Sequence, residues 1–293
     1  MKYDLSAWPE VDLRRVRSSF REVPLAAYPE LTSYGRAGIH EELAGQGGLF
    51  LACDMAKLLR LQPGMRVLDL ACGAGTTSIY LAKNFGVRVY AVDEDLPGSL
   101  PRRAAAAGVG DLVIPILGDA RKLPFSLEFF DVVFSMNAFF YFGTDDLYPS
   151  YLLGFLKEGG ELVIGSPCYR DELKADSPEE FLLEFPACLA AHSPGWWGSH
   201  FAKTKKADVL HSELHPRGAE FWEDRVRFLL EAQRPTEMSV SRRNMVYEII
   251  RMLNRDEDGF VSHFLLHAKK KPNSVAMGRF ANPEKQCQMG YIE

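Results

Sequence analysis

The chain lacks a strong charge of either sign: 34 Lys and Arg stand against 39 Asp and Glu, a formal balance of −5 over 293 residues. It therefore has no surplus of cations to displace the counterions of a phosphate backbone, and nucleic acid is not expected as a partner. It also lacks any run near the ~18 apolar residues of a membrane span, so no membrane partner is expected either. The opening Met1-Lys2-Tyr3-Asp4 does not have the charged-then-apolar order of a secretion signal, which makes a cytoplasmic location the expectation. Cysteines are few: Cys53, Cys72, Cys168, Cys188 and Cys287. Their odd number, wide spacing and lack of a Cys-x-x-Cys pair argue against a disulfide framework or a zinc cluster and leave small buried thiols. No internal repeat occurs, and no low-complexity run is longer than 104–107.

What is present is the makeup of a folded globule, 47% apolar and 25% charged. The length suits one α/β domain with additions better than two small ones. Residues 1–45 mix Trp8, Tyr28 and Tyr34 with charges, show no clear period, and are expected to form a cap or lid. From Gly47-Gly48 the pattern sharpens: residues 49–61 are apolar at helical spacing and stop at Gln62-Pro63-Gly64. Strand-like runs over 66–70, 87–92, 112–117, 131–135 and 162–165 then alternate with helix-like segments over 76–85, 98–107 and 146–156. Such alternation means βαβ units on a parallel sheet, with a core over 46–167. Residues 168–198 break the rhythm and are expected as a helical insertion, followed by a helix over 200–205. Strands over 208–214 and 261–268 complete the core within 199–271. They are interrupted at 216–258 by two amphipathic helices, over 221–232 and 244–253. Residues 272–293 carry no period and read as a tail.

In an open α/β sheet, ligands bind outside the carboxyl ends of the strands, so the loops there carry the candidates. The first is Asp69-Leu70-Ala71-Cys72-Gly73-Ala74-Gly75. Glycines in such a loop allow a tight turn and bring backbone close to a ligand. A dinucleotide is disfavoured on two counts. Position 78, where a third glycine would fall, is Ser78, and Asp69 at the strand end would repel a pyrophosphate. An acid there suits a ligand carrying an ammonium and a sulfonium. Asp93, which lies 93 − 69 = 24 positions on and is followed by Glu94, is placed to accept both hydroxyls of a ribose. Asp119 in Gly118-Asp119-Ala120 is placed to accept from an adenine amino group, and Ser135 and Asn137 to lie under a methionine moiety. Aspartates at strand ends also serve turns and caps, so it is the ordered set that carries weight.

The stretch Val67-Leu68-Asp69-Leu70-Ala71-Cys72-Gly73-Ala74-Gly75, with Asp93, Gly118-Asp119-Ala120 and Asp131-Val132-Val133, resembles the class I S-adenosylmethionine-dependent methyltransferases of small-molecule type. The likeness covers roughly 46–166 and the last two strands, and Gly47-Gly48-Leu49 is a shorter addition to it. It implies a Rossmann-like α/β fold: a seven-stranded, mostly parallel sheet sandwiched by helices, with helical insertions forming a cap. The final strand of that fold runs antiparallel, a place that 261–268 fits. It implies S-adenosylmethionine as cofactor, held by Asp69, Ala71, Cys72, Gly73, Gly75, Asp93, Glu94, Asp119, Ala120, Ser135 and Asn137. Ala71 departs from the glycine many members have there, a change that alanine tolerates if its φ is negative.

Methyl transfer from a sulfonium is an in-line displacement in which positioning supplies much of the rate. A base is needed only where the accepting atom still holds a proton. Tyr141, in the aromatic run 139–142, and His192, in His192-Ser193-Pro194-Gly195-Trp196-Trp197, are the candidate catalytic residues. The phenylalanines of the run are expected to pack in the core. Trp196 and Trp197 either dock on the fold or wall a cation-tolerant pocket. His211 with His215, and His263 with His267, share faces at four-residue spacing, yet neither pair has a third ligand, and no metal is expected.

A small-molecule acceptor is the expectation, with the N-terminal arm placed to act as a lid or as the contact of a homodimer. The alternatives are RNA or protein as acceptor, and a cofactor-binding protein without turnover. Against the first stand the acidic balance and the sequence Ser135-Met136-Asn137-Ala138 in place of an Asn/Asp-Pro-Pro-Tyr tetrapeptide. The second would be excluded by production of S-adenosylhomocysteine.

Overall fold

The computed structural model describes residues 20–40, 45–175, 177, 190–232 and 259–272, and positions 246, 249, 250, 252, 253 and 256. Seven strands form one sheet: β1 (Arg66–Leu70), β2 (Arg88–Asp93), β3 (Val113–Leu117), β4 (Phe130–Met136), β5 (Leu156–Tyr169), β6 (Ala207–Leu214) and β7 (Val261–Lys270). Their order is β3-β2-β1-β4-β5-β7-β6. Neighbours are parallel from β3 through β5, and β7 runs antiparallel to both β5 and β6. Strand order reverses between β1 and β4, which is where an α/β sheet opens a ligand crevice.

Among the described residues, α-helices that accompany the sheet are α1 (Gly35–His40), α2 (Gly48–Lys57), α3 (Thr76–Phe85), α4 (Leu100–Ala106), α5 (Tyr148–Gly154), α6 (Pro194–Ala202) and α7 (Gly218–Ala232). Val67, Val89, Val132 and Val163 pack with Leu51, Met55, Leu81 and Leu100 on one face. Leu68, Val133, Leu162 and Ile164 pack with Tyr151, Leu152, Trp197 and Phe201 on the other. Strands covered on both faces read as near-continuous apolar runs, which is why β1 and β4 stand out in the sequence. A third cluster lies at the carboxyl edge of β5: Phe20, Tyr169, Val226, Leu229, Val246, Ile250 and Val261. The arm before α1 and α1 itself are anchored to α7 by fully buried Asp224, which accepts the Val23 N–H at 2.9 Å and the Arg36 guanidinium at 2.6 Å.

The helix over 76–85 matches its expected limits, and the strand over 66–70 likewise. The helix expected over 49–61 stops at Lys57, and that over 146–156 occupies only Tyr148–Gly154. The fifth strand is the largest correction: it runs from Leu156 to Tyr169 rather than over 162–165. Lys157-Glu158-Gly159-Gly160 is a bulge within it, not a stop. Phe130 pairs with Leu156 while Val132 pairs with Glu161, and Gly159 takes up the kink at φ 70°. Beyond Gly165 the strand goes on through Pro167 because it has left β4 behind and pairs only with β7.

The insertion expected over 168–198 is also redrawn. Residues 168 and 169 belong to β5, and α6 crosses its expected end, replacing the helix expected over 200–205. Pro194 at the first turn and Ser193, whose side chain accepts the Trp196 N–H at 3.3 Å, start α6 earlier. Much of that insertion, half of 244–253, the tail over 272–293 apart from position 272, and both Cys188 and Cys287 lie outside the described residues. Cys53, Cys72 and Cys168 are buried free thiols. No helix among the described residues is long and apolar enough to cross a membrane.

Candidate functional site

The loops after β1, β2, β3 and β4 meet at one edge of the sheet. Asp69 is a member of β1, only 1% exposed, and one carboxylate oxygen accepts the Ser78 hydroxyl at 2.6 Å. It thus lies beneath the loop, out of contact with solvent. Burial pushes its carboxyl up to about 7; Ser78 opposes the rise and the nearby charge of Asp93 adds to it.

Above it, residues 71–75 turn sharply. Ala71 sits at φ 59°, so the expected negative φ is not found, and the residue carries left-handed strain of about 1 kcal/mol. The Cys72 side chain is buried, its N–H donates to Val92 O at 3.1 Å, and its contribution to a ligand is limited to backbone. At Gly73, φ 54°, a Cβ would meet nothing within 4 Å, so its outer face is open. At Gly75, φ 76°, a Cβ would overlap the Leu100 side chain, which fixes this residue as the hinge into α3. Arg103 secures the turn from below, donating to Ala74 O at 2.6 Å and to Thr76 Oγ1 at 2.7 Å.

Asp93 ends β2 and leans into the same loop: Oδ2 accepts the Gly73 N–H at 2.8 Å and Oδ1 the Asp95 N–H at 3.0 Å. Each carboxylate oxygen accepts more than one bond, so capacity remains for two hydroxyls. Glu94 is exposed beside it. Asp119 follows β3 and accepts the Arg121 N–H at 2.8 Å, while the Ala120 carbonyl accepts the Tyr148 hydroxyl at 3.0 Å. Ser135 is a correction: fully buried, its hydroxyl donates to Leu70 O at 3.0 Å and ties β4 to β1. Asn137 does reach the edge, where its amide bridges Gln46 and His263. The set is acidic and rich in acceptors, which suits a hydroxylated, cationic ligand rather than a phosphate.

Phe139, Phe140 and Phe142 are core residues, and Tyr141 is 51% exposed. His192 lies beyond the carboxyl end of β5, its Nδ1 2.8 Å from Glu172 Oε2. It stacks at 3.8 Å on Trp196, whose ring also stacks at 4.5 Å with His200. Trp197 is fully buried and stacks on Phe264. Both tryptophans therefore dock, and the stacked rings of Trp196 make no cation-binding wall. Three of these four histidines have partners of their own: His215 meets Asp54 at 3.1 Å, His267 meets Glu161 at 2.6 Å, and His263 faces Asn137. No cluster of His, Cys, Asp or Glu placed to hold a metal occurs among the described residues. Glu172, Gln46 and His263 were not legible as site residues, since their partners lie 20 to 126 positions away.

Residues 67–160 match the family model described as a methyltransferase domain. Phosphoethanolamine N-methyltransferase 3 of Arabidopsis thaliana is 28% identical over 128 residues, 44% of this chain and 26% of that protein. The 2-methyl-6-phytyl-1,4-hydroquinone methyltransferase of Synechocystis sp. is 33% identical over 113 residues, 38% of this chain and 35% of that one. This chain thus matches about a third or less of the length of these two curated relatives. Among solved structures, Haemonchus contortus phosphoethanolamine N-methyltransferase 2 in complex with S-adenosyl-L-methionine superposes with a TM-score of 0.65 at 21% identity. That superposition covers 85% of this chain and 60% of that one. The fold is that of the class I methyltransferases.

Proposed function

We propose that this chain, whose core is a class I S-adenosylmethionine-dependent methyltransferase domain, methylates a small-molecule acceptor at the carboxyl edge of β4 and β5, where β7 begins. The observation that carries the reading is the open face over Gly73 beside the Asp93 carboxylate, at the crevice between β1 and β4. The residues there fit the cofactor. Asp93 would accept the ribose hydroxyls, Asp119 the adenine amino group, and the loop 71–75 would approach the amino-acid portion, with the negative charge of Asp69 beneath. The cofactor, when bound, supplies an activated methyl on a sulfonium.

What the chain adds is position and enclosure. Phe20, Val226, Leu229, Val246 and Ile250 cluster with Tyr169 and Val261 over the carboxyl end of β5. Such an apolar cover excludes water and suits an acceptor small enough to be enclosed. Glu172 orients His192 through Nδ1 and leaves Nε2 to take a proton, the arrangement expected of a base whose tautomer is fixed by a carboxylate. Tyr141 is the second polar candidate at that edge.

Calorimetric titration of the whole chain with S-adenosylmethionine and S-adenosylhomocysteine tests the reading, and micromolar binding of both is expected. Failure of both to bind overturns it. Release of S-adenosylhomocysteine with small amines, phenols or thiols, and not with RNA or protein, supports the acceptor class; the reverse pattern overturns that part.

A further inference from the structure

Asn137 is the first residue beyond β4, and its backbone is left-handed at φ 59°. Its N–H donates to Gly165 O at 2.8 Å, which fixes the side chain between two segments. Nδ2 donates to Gln46 O at 2.8 Å, and Oδ1 lies 3.2 Å from His263 Nε2. A Cβ on Gly45 would overlap the Asn137 side chain, so the turn at 45–47 leans directly on this amide. On the far side, His263 Nδ1 lies 3.2 Å from Gly218 O.

Both ring nitrogens of His263 thus face oxygen acceptors. The ring is fully buried, and burial above all drives its pKa down to about 3, so it is neutral and has one N–H to give. The amide decides which nitrogen holds it. With Nδ2 committed to Gln46 O, Oδ1 must face His263, and that contact is a hydrogen bond only if Nε2 carries the hydrogen. Each tautomer leaves one opposed pair. With Nε2–H it is the Nδ1 lone pair against Gly218 O at 3.2 Å. With Nδ1–H the Nε2 lone pair would demand Nδ2, the amide would turn over, and Oδ1 would stand against Gln46 O where Nδ2 now lies at 2.8 Å, the closer and costlier clash.

We propose that His263 is a positioning residue: through an Nε2–H donated to Asn137 it holds the amide that pins the 45–47 turn at the end of β4. The proposal rests on the reading of this edge as a methyl-transfer site, where the turn would close against the amino-acid end of the cofactor.

Two variants separate positioning from packing. His263→Gln keeps an amide donor near the place of Nε2, toward Asn137; His263→Asn keeps one near the place of Nδ1, toward Gly218. Both lose the ring packed against Phe221 and Trp222, so the shared loss of stability cancels in the comparison. S-adenosylhomocysteine is expected to bind His263→Gln within about threefold of the parent and His263→Asn about tenfold more weakly, one neutral hydrogen bond apart. Equal losses would overturn the proposal.

A second measurement does not depend on the cofactor. Nitrogen-15 NMR of the parent is expected to show His263 protonated at Nε2 alone; protonation at Nδ1, or at both nitrogens, would overturn the proposal. Should the parent protein not bind S-adenosylhomocysteine, the methyltransferase reading falls. The tautomer, with amide exchange over 46–48 in the two variants, then decides the role of His263 by itself.

Discussion

The carboxylate of Asp93, at the end of β2, accepts the backbone N–H of Gly73, 2.8 Å away in the loop after β1. The loops after β1 and β2 are therefore joined directly, and the remaining acceptor capacity of Asp93 is aimed beside an open backbone face. Asp93→Ala removes both functions. Two hydroxyl bonds to an ionised group at about 1.5 kcal/mol each would weaken S-adenosylhomocysteine binding about 100-fold. Asp93→Asn, which still accepts from Gly73, should lose about tenfold. Calorimetry reads both, and unchanged affinity in Asp93→Ala would sink the ribose role.

Gly73 and Gly75 have positive φ alike, but different surroundings. At Gly75 the added methyl of Gly75→Ala drives into Leu100, so the substitution should cost about 2–3 kcal/mol of stability through overpacking and backbone strain. At Gly73 the methyl enters open space. Gly73→Ala should cost only about 1 kcal/mol of strain while weakening cofactor binding at least tenfold, because the methyl occupies the face a ligand needs. Urea unfolding beside calorimetry separates the two. A Gly73→Ala protein that binds normally would place the ligand elsewhere.

Ala71 offers the opposite experiment. At φ 59° it holds a conformation that glycine adopts freely, so Ala71→Gly should leave stability unchanged or raise it by up to about 1 kcal/mol, despite the greater freedom glycine has in the unfolded chain. For a chain of this size that is a rise of about 2 °C in Tm. A clear fall would mean that the Ala71 methyl, half-buried against the second core cluster, contributes more by packing than it loses in strain.

The strands and their loops were legible because their signals are local. A both-faced strand is a run of valine and leucine, and the turn after it is a run of glycine, as at Val67–Gly75. What escaped was whatever depends on a neighbour in space. Lys157–Gly160 has the composition of a helix stop, and only the pairing of Val132 with Glu161 makes it a bulge. Ser135 has a ligand's hydroxyl until Leu70 O takes it. His263 reads as one of a strand pair, and its meaning lies in Asn137, 126 positions earlier. The cap was legible only as a break in rhythm, since α7 and the arm near Val23 find each other through Asp224.

Asp69 ties the site to pH. Its carboxyl titrates near 7 in the fold, against about 3.9 in an unfolded chain. Between those values the unfolded chain has lost a proton that the folded one keeps, so this group makes stability fall as pH rises from about 4 to about 7, with no further change above. Asp69→Asn is neutral throughout and still accepts from Ser78. Relative to the parent it should gain nothing at pH 4 and be more stable at pH 8. A cationic ligand acts in the other direction, since a sulfonium and an ammonium nearby favour the carboxylate. Binding of S-adenosylmethionine to the parent should release a proton near pH 6 and tighten as pH rises to about 7, and Asp69→Asn should lose both effects. Urea unfolding across pH 4–8, with calorimetry in two buffers of different ionisation enthalpy, measures the pair. A stability difference between variant and parent that does not change with pH would show that Asp69 is ionised in the fold before any ligand arrives.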